Sequence, residues 1–135
     1  MLENPKINIR IKLAVLWTSL MFLYIYGDYF ELYVPNKVDS LIKGTGLLDT
    51  PIKVFIASIV LVIPAAMISV NIFLRPKICR VLNMVFGILL TMVVVLVGSS
   101  SLTEWYSFYV LYAVLEAIIS LLIVTLAWNW PKERD

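Results

Sequence analysis

Glu116 is the residue whose type and place point most directly to chemistry. It divides the last apolar stretch, from Trp105 to Trp130, into uncharged runs of 11 and 14 residues. Neither run reaches the roughly 17 residues that a membrane helix needs, so a crossing must include the carboxyl. An ionisable group at the membrane centre costs about 2.5–3.5 kcal/mol on insertion scales and requires a partner, a water-filled cavity or a function. The sequence therefore predicts an intramembrane carboxyl.

A helix over this stretch gathers small and polar side chains on the face that carries Glu116. The residues at three- and four-residue steps around it are Tyr109, Tyr112, Ala113, Ala117 and Ser120. Small residues allow close helix contacts, and polar residues avoid lipid. We expect this face to point into a helix bundle.

The first apolar stretch brings two further carboxyls. Leu13 to Gly27 holds 15 uncharged residues, which at about 1.5 Å per residue fall short of a hydrocarbon core about 30 Å thick. The helix must therefore carry Asp28 into or near the membrane, with Glu31 three residues further on. Counted from the ends of their stretches, Tyr24 and Thr91 lie near the depth of Glu116.

These positions predict a polar cavity that is open to the outside and binds a ligand. Its predicted lining residues are Tyr24, Asp28, Glu31, Thr91, Tyr112 and Glu116. A structural alternative stays open, in which a protonated Glu116 bonds to Tyr112, Thr91 or a backbone carbonyl and only fixes helix register. Asp28 and Glu31 then lie at a hydrated helix end.

The composition indicates the fold that must position these residues. Hydrophobic residues make up 61% of the chain and charged residues 15%, against about 45–50% and about 25% in ordinary soluble domains. The apolar residues form long blocks, so the prediction is an all-α bundle of four transmembrane helices in a single domain, residues 1–135. The predicted spans are 12–34, 52–74, 81–99 and 105–129, with an extracytoplasmic loop over 35–51. Pro64 falls near the middle of the second span and predicts a kink there.

Basic residues predict that both termini are cytoplasmic. With the N-terminus inside, eight of the eleven Lys and Arg residues, among them Arg80 and Arg134, lie on the cytoplasmic side, and Lys37, Lys43 and Lys53 lie outside. The predicted location is the cell membrane. Three of the inner cations, Arg75, Lys77 and Arg80, could also bind anionic lipid headgroups. Trp17, Trp105, Trp128 and Trp130 are interpreted as anchors at the membrane interfaces.

Several kinds of site are missing from the sequence. There is no histidine and one cysteine, Cys79, which excludes an internal disulfide and a Cys/His metal site. No cofactor or metal ligand set is predicted, and the net charge of +2 gives no argument for nucleic acid. Without a Ser/His/Asp set or a phosphate-binding glycine loop, an enzyme is the least favoured class.

A set of short motifs resembles a known group of proteins. The motifs are Leu16-Trp17 leading to Tyr24 to Asp28, Ile63 to Met67, Arg80 to Asn83 followed by Gly87, and Tyr109 through Glu116 to Trp130. They resemble an uncharacterised family of small four-helix prokaryotic membrane proteins and, more distantly, DoxX-like proteins. The resemblance implies the four-helix fold and supplies no catalytic residues. A DoxX-like relationship would imply a link to redox or quinone metabolism.

Two classes of function remain after these exclusions. The first is binding or transport of a small molecule or cation, with Glu116 exchanging a proton for it, and such a short bundle would be expected to form a homodimer. The second is a non-catalytic scaffold or partner subunit for another membrane protein, favoured by the loop after Pro35 and by the lack of catalytic groups. The predicted partners are the lipid bilayer and either a second copy or another membrane protein.

Overall fold

The regular structure is entirely helical in the computed structural model, which describes residues 2–132. The helices are α1 (Ile9–Glu31), α2 (Lys37–Ile42), α3 (Pro51–Phe73), α4 (Pro76–Ser100) and α5 (Ser107–Trp128), and a 3₁₀ turn at Glu104–Tyr106 leads into α5. Within the described range, α1, α3, α4 and α5 are each long and apolar enough to cross a membrane. The predicted four-helix architecture is thereby confirmed at the level of the helices.

The helix bounds differ from the predicted spans by a few residues at most ends. The largest difference is in α4, which begins at Pro76 rather than at residue 81 and so contains Lys77 and Arg80. Proline is favoured in the first helical turn because its missing N–H has no partner there in any case. The predicted cytoplasmic Arg134 lies outside the described residues.

Local sequence signals set the starts of α1 and α3. The Asn8 side chain accepts a hydrogen bond from the Arg10 backbone N–H at 2.9 Å and caps α1. Thr50 caps α3 by accepting from the Lys53 N–H at 3.3 Å, and Pro51 follows it in the first turn. Caps of this kind begin the helices where the charged loops give way to apolar residues.

The four long helices form a bundle with two unlike ends. We call the end with the start of α1, the α3–α4 junction and the end of α5 the terminal end, and the opposite end, with α2 and the turn before α5, the loop end. Helix α1 packs against α3 and α5, and α5 packs closely along α4. Helices α3 and α4 contact each other much less, although only Leu74 and Arg75 separate them.

Small residues allow α4 and α5 to approach closely. A Cβ at Gly98 would lie 2.9 Å from the Ala113 Cβ, and a Cβ at Gly87 would lie 2.7 Å from the Val124 Cγ2. Both distances are shorter than real Cβ contacts, so each glycine is needed for the observed separation. In a membrane, contacts of this type drive helix association because lipid tails are as apolar as the side chains.

A buried polar network joins three helices at the terminal end. The Trp17 Nε1–H donates to the Asn83 Oδ1 at 2.7 Å, and the Asn83 Nδ2 donates to the Asn71 Oδ1 at 2.6 Å. The two amides also donate to the backbone carbonyls of Met67 and Cys79, each at 2.7 Å. All three side chains are fully buried. The network links α1, α3 and α4, and it satisfies groups that would be costly to bury unpaired.

The prediction that Trp17 anchors the chain at a membrane interface is therefore wrong. Its ring lies in the core with Leu13, Leu20 and Met67, and its indole N–H is used inside the bundle. The position of a tryptophan near the start of a span does not reveal whether it faces lipid or protein. By contrast, Trp105 and Trp128 are 63% and 65% exposed, as the anchor interpretation requires.

Two arginines hold the ends of neighbouring helices at the terminal end. Arg10 of α1 donates to the backbone carbonyls of Asn71 and Leu74, at the end of α3. Arg80 of α4 donates to the carbonyls of Ala127 and Trp128, at the end of α5, at 3.2 and 3.3 Å. The last carbonyls of a helix have no hydrogen-bond partner within that helix. A cation near them also interacts favourably with the negative end of the helix dipole.

We expect Gly98→Ala to destabilise the bundle by about 1–3 kcal/mol, the usual cost of overpacking, because the backbones of α4 and α5 must separate. Gly27→Ala is the matched control, since its Cβ would meet Tyr112 at an ordinary 3.6 Å. Unfolding of the purified protein in detergent measures both variants. Equal stability of the two variants would contradict the close contact between α4 and α5.

Candidate functional site

A cavity of about 140 Å³ lies between the four long helices. Its walls contain Tyr24, Gly27 and Asp28 from α1, Val60 and Leu61 from α3, Leu90, Val93, Val94 and Val97 from α4, and Tyr109, Tyr112, Ala113 and Glu116 from α5. Its α3 and α4 residues come from two helices that contact each other little. The sparse α3–α4 packing thus leaves room for the cavity.

Glu116 is the most deeply buried carboxyl of the cavity wall, with 8% of its surface exposed. Its side-chain oxygens receive no hydrogen bond from residues 2–132. Its backbone is fixed by Ser120, whose hydroxyl donates to the Glu116 carbonyl at 2.8 Å. The Thr91 hydroxyl lies 2.8 Å from the Ser120 Oγ and ties this turn of α5 to α4. The carboxyl is therefore held in place by its backbone and left unpaired at its side chain.

The Tyr24 hydroxyl is a second unpaired polar group at the cavity. Its oxygen is buried and, among the described residues, has no hydrogen-bond partner. Buried polar groups in proteins nearly always have a partner, either in the protein or in bound solvent or ligand. An unpaired hydroxyl in the same cavity wall as an unpaired carboxyl indicates a place for a polar guest.

Pro64 lies inside α3, within one turn of two cavity-lining residues, Val60 and Leu61. Proline has no N–H, so Pro64 cannot donate to the carbonyl of Val60, four residues earlier in α3. Pro64 itself is fully buried. The helix continues from Pro51 to Phe73, and the kink stays a prediction.

Two of the predicted site residues lie elsewhere. Thr91 is directed into the α4–α5 contact, where it also lies 2.7 Å from the Gly87 carbonyl, and it is absent from the cavity wall. Glu31 is paired with Lys37 at 2.6 Å and accepts a weak hydrogen bond from the Tyr106 hydroxyl at 3.4 Å. The structure brings together the other four predicted residues, Tyr24, Asp28, Tyr112 and Glu116, in one wall.

The wall residues that the sequence did not assign to the site are Gly27, Tyr109, Ala113 and the apolar side chains of α3 and α4. Tyr109 and Ala113 share the helix face of Glu116, so their spacing on α5 was a usable signal. Val60 and Leu61 carry no signal of their own, although Pro64 lies within one turn of them. A Cβ at Gly27 would meet the rings of Tyr112 and Tyr109 at ordinary contact distances of 3.6 and 3.9 Å.

The groups at the cavity are hydrogen-bond acceptors, hydroxyls and apolar surfaces. Arginine and lysine are absent from its described wall, and three of its wall residues, Asp28, Leu61 and Val93, are exposed at the surface of the bundle. No cluster of three or more metal-ligating side chains occurs between residues 2 and 132. The arrangement has room for a small guest.

The residues predicted to bind lipid headgroups differ in their surroundings. Arg75 and Lys77 are exposed at the start of α4. Arg80 is half-buried and uses its guanidinium on the end of α5. Headgroup binding by these residues stays a prediction.

The ion pair at the loop end generates a pH-dependent prediction. Burial of Lys37 lowers its pKa, but the hydrogen bond and the attraction of the Glu31 carboxylate outweigh this and raise the pKa above the ordinary 10.5. A raised pKa in the folded state stabilises the fold below the ordinary lysine value, and the contribution is lost as the pH rises through the folded value.

We therefore expect Lys37→Met to destabilise the protein by about 1 kcal/mol or less at neutral pH, since both partners are partly exposed. The difference from the wild type should fade at pH values above 10.5. Lys43→Met, in the exposed chain after α2, is the control and should change little. Unfolding in detergent at several pH values measures this, and a constant difference across them would contradict the ion pair.

A comparison with known proteins identifies the family of the chain. No curated protein and no solved structure matches it. The predicted likeness to an uncharacterised family is confirmed, whereas the distant relation to DoxX-like proteins stays a prediction. The chain belongs to DUF6326, a family of unknown function, whose family model matches residues 4–135.

Proposed function

We propose that this protein is an integral membrane protein that binds a small molecule in the cavity between its four long helices. The observation that carries the proposal is the cavity itself, whose wall contains the buried Glu116, with no hydrogen bond to its carboxyl from residues 2–132, and the unpaired Tyr24 hydroxyl. A carboxyl in this position is costly in a membrane unless it has a use. The structural alternative, in which Glu116 only fixes helix register, has no hydrogen bond from residues 2–132 to support it.

The surface of the bundle supports the membrane part of the proposal. Large apolar side chains are exposed along all four long helices, including Phe55 at 67% and Leu96 at 71%. Exposed aromatic residues lie near both ends, with Tyr33 and Trp105 at the loop end and Trp128 at the terminal end. This distribution is typical of a lipid-facing surface with aromatic belts at the interfaces.

The proposed orientation places the terminal end in the cytoplasm and the loop end outside. Contacts put Arg10 and Arg80 at the terminal end and Lys37 at the loop end, consistent with the positive-inside rule. The exposed Asp28 lies in the last turn of α1, toward the loop end, so the cavity would open outward. A cavity lined by one chain binds its guest without a second copy, and the dimer stays a prediction.

The loop end contributes apolar surface that fits an interfacial position. Val38, Leu41 and Ile42 of α2 are exposed, as is Leu47 after it. A short helix with this surface, tied to α1 through Lys37 and Glu31, can lie at the boundary between headgroups and acyl chains. The same surface is what a scaffold function would use for a partner protein.

The orientation can be tested with single cysteines in a Cys79→Ser background. We expect Thr45→Cys, in the loop after α2, to react with a membrane-impermeant maleimide in intact cells. Asn4→Cys, before α1, should react only after the membrane is permeabilised. Both positions are exposed and uncharged, so neither change alters the charge bias. The reverse pattern would overturn the orientation, and recovery of the chain in the soluble fraction would overturn the membrane assignment.

Ligand binding can be tested by filling the cavity. Val94→Phe adds bulk to a buried wall residue, and Val85→Phe makes the same change on the exposed side of α4. We expect cyclohexylamine or cyclohexanol to bind to the wild type and to Val85→Phe in calorimetric titrations of detergent-solubilised protein. Binding to Val94→Phe should be weaker by about tenfold or more, which corresponds to about 1.4 kcal/mol.

Two outcomes would contradict this function. If neither probe binds to the wild type, the cavity is not a site for molecules of this size, and the scaffold function becomes the better explanation. If both phenylalanine variants bind as the wild type does, the probes associate with the outer surface or the detergent. Val94→Phe must unfold as the wild type does, so that weaker binding by this variant can be assigned to the filled cavity.

A further inference from the structure

We infer that the ligand is a compact organic cation, a protonated alkylamine whose ammonium group lies against Glu116 and whose hydrocarbon part lies against α3 and α4. This inference rests on the proposed binding function and specifies the class of ligand. It follows from three features of the cavity, namely its acceptors, its aromatic rings and its apolar wall.

The carboxyl groups of the cavity wall have no cationic donor in the wall to match them. Glu116 and Asp28 provide the carboxyl groups, and Tyr24 provides an unpaired hydroxyl. Lysine and arginine do not occur among the described wall residues. At the loop end of the bundle, the Lys37 ammonium is paired with the Glu31 carboxylate at 2.6 Å. A guest that donates hydrogen bonds and carries positive charge satisfies these groups, whereas an anion would meet two carboxylates.

The aromatic rings of the cavity wall also favour a positively charged ligand. Tyr24, Tyr109 and Tyr112 all line the cavity, and the last two rings lie near Gly27 of α1. The faces of aromatic rings carry partial negative charge and attract ammonium groups, more strongly where water is excluded. Tyrosines beside carboxylates are therefore suited to an ammonium ion.

The apolar wall and the size separate an organic cation from a metal ion. Leu61, Leu90 and Val94 also line the cavity, and their side chains offer only apolar contacts. Alkali and divalent ions require a shell of oxygen ligands on all sides. The volume of about 140 Å³ is close to that of a cavity of about 150 Å³ that accepts benzene, so the hydrocarbon part is limited to about six or seven carbons.

The experiment compares a charged probe with its neutral analogue. Cyclohexylamine, protonated at neutral pH, and cyclohexanol have the same ring and nearly the same size. Both are titrated calorimetrically into the detergent-solubilised wild type, Glu116→Gln and Glu104→Gln. Glu104→Gln is the matched control, because Glu104 lies exposed in the 3₁₀ turn and outside the cavity wall.

We expect cyclohexylamine to bind to the wild type about tenfold or more tightly than cyclohexanol, as hydrogen bonds to a charged group imply. Glu116→Gln should remove this preference by weakening the amine and leaving the alcohol unchanged, and Glu104→Gln should keep it. Because cyclohexanol binding also reports that Glu116→Gln has an intact cavity, a folding defect cannot imitate the expected result.

Other results would overturn the inference in distinguishable ways. Equal binding of the two probes, or a preference for the amine that survives Glu116→Gln, would show that Glu116 does not select a charged ligand. The proposed binding function would stay intact. Displacement of cyclohexylamine by millimolar sodium or potassium, with choline chloride as the ionic-strength control, would assign the site to an inorganic cation. Absence of binding by both probes would overturn the proposed function as well.

Discussion

The hydrogen-bonded pair of Asn71 and Asn83, with the indole of Trp17, is the constraint on which the bundle depends. It fixes α3 and α4 to each other and to α1 at the terminal end, where the chain turns within two residues. The hydrogen bonds of these buried polar groups form only when the helices pack in one arrangement. The groups therefore specify the register of the helices and which helices pack together. With one end fixed, α3 and α4 can separate toward the other end, and the cavity occupies the space between them.

A second constraint acts on the opposite pair of helices. Gly87 and Gly98 allow α4 and α5 to pack closely, and the link from Thr91 to Ser120 ties the turn that carries Glu116 to α4. Glu116 therefore belongs to the most closely packed pair of helices and shares the cavity wall with residues of α3, which contacts α4 much less. A binding group that is held in place before the guest arrives lowers the cost of binding.

The sequence was sufficient for the helices and for part of the site. Long apolar blocks and their charged borders predicted four long helices, and the periodicity around Glu116 correctly predicted an inward face, since Ala113, Glu116 and Ser120 are buried. The errors share a physical origin. Depth along a helix can be counted from the sequence, but the direction in which each helix faces its neighbours depends on the packing. Thr91 was assigned to the cavity but lies in the contact between α4 and α5. Trp17 was assigned to the membrane interface because nothing local identified Asn83 as its partner.

The arginines at the terminal end join two properties that are usually treated separately. Arg10 and Arg80 belong to the basic residues from which the proposed orientation is argued, and the same guanidinium groups satisfy carbonyls at the ends of α3 and α5. The residues that would direct membrane insertion are thus also structural parts of the bundle. Replacing either arginine to alter the charge bias would therefore also remove the hydrogen-bond donor of a helix end.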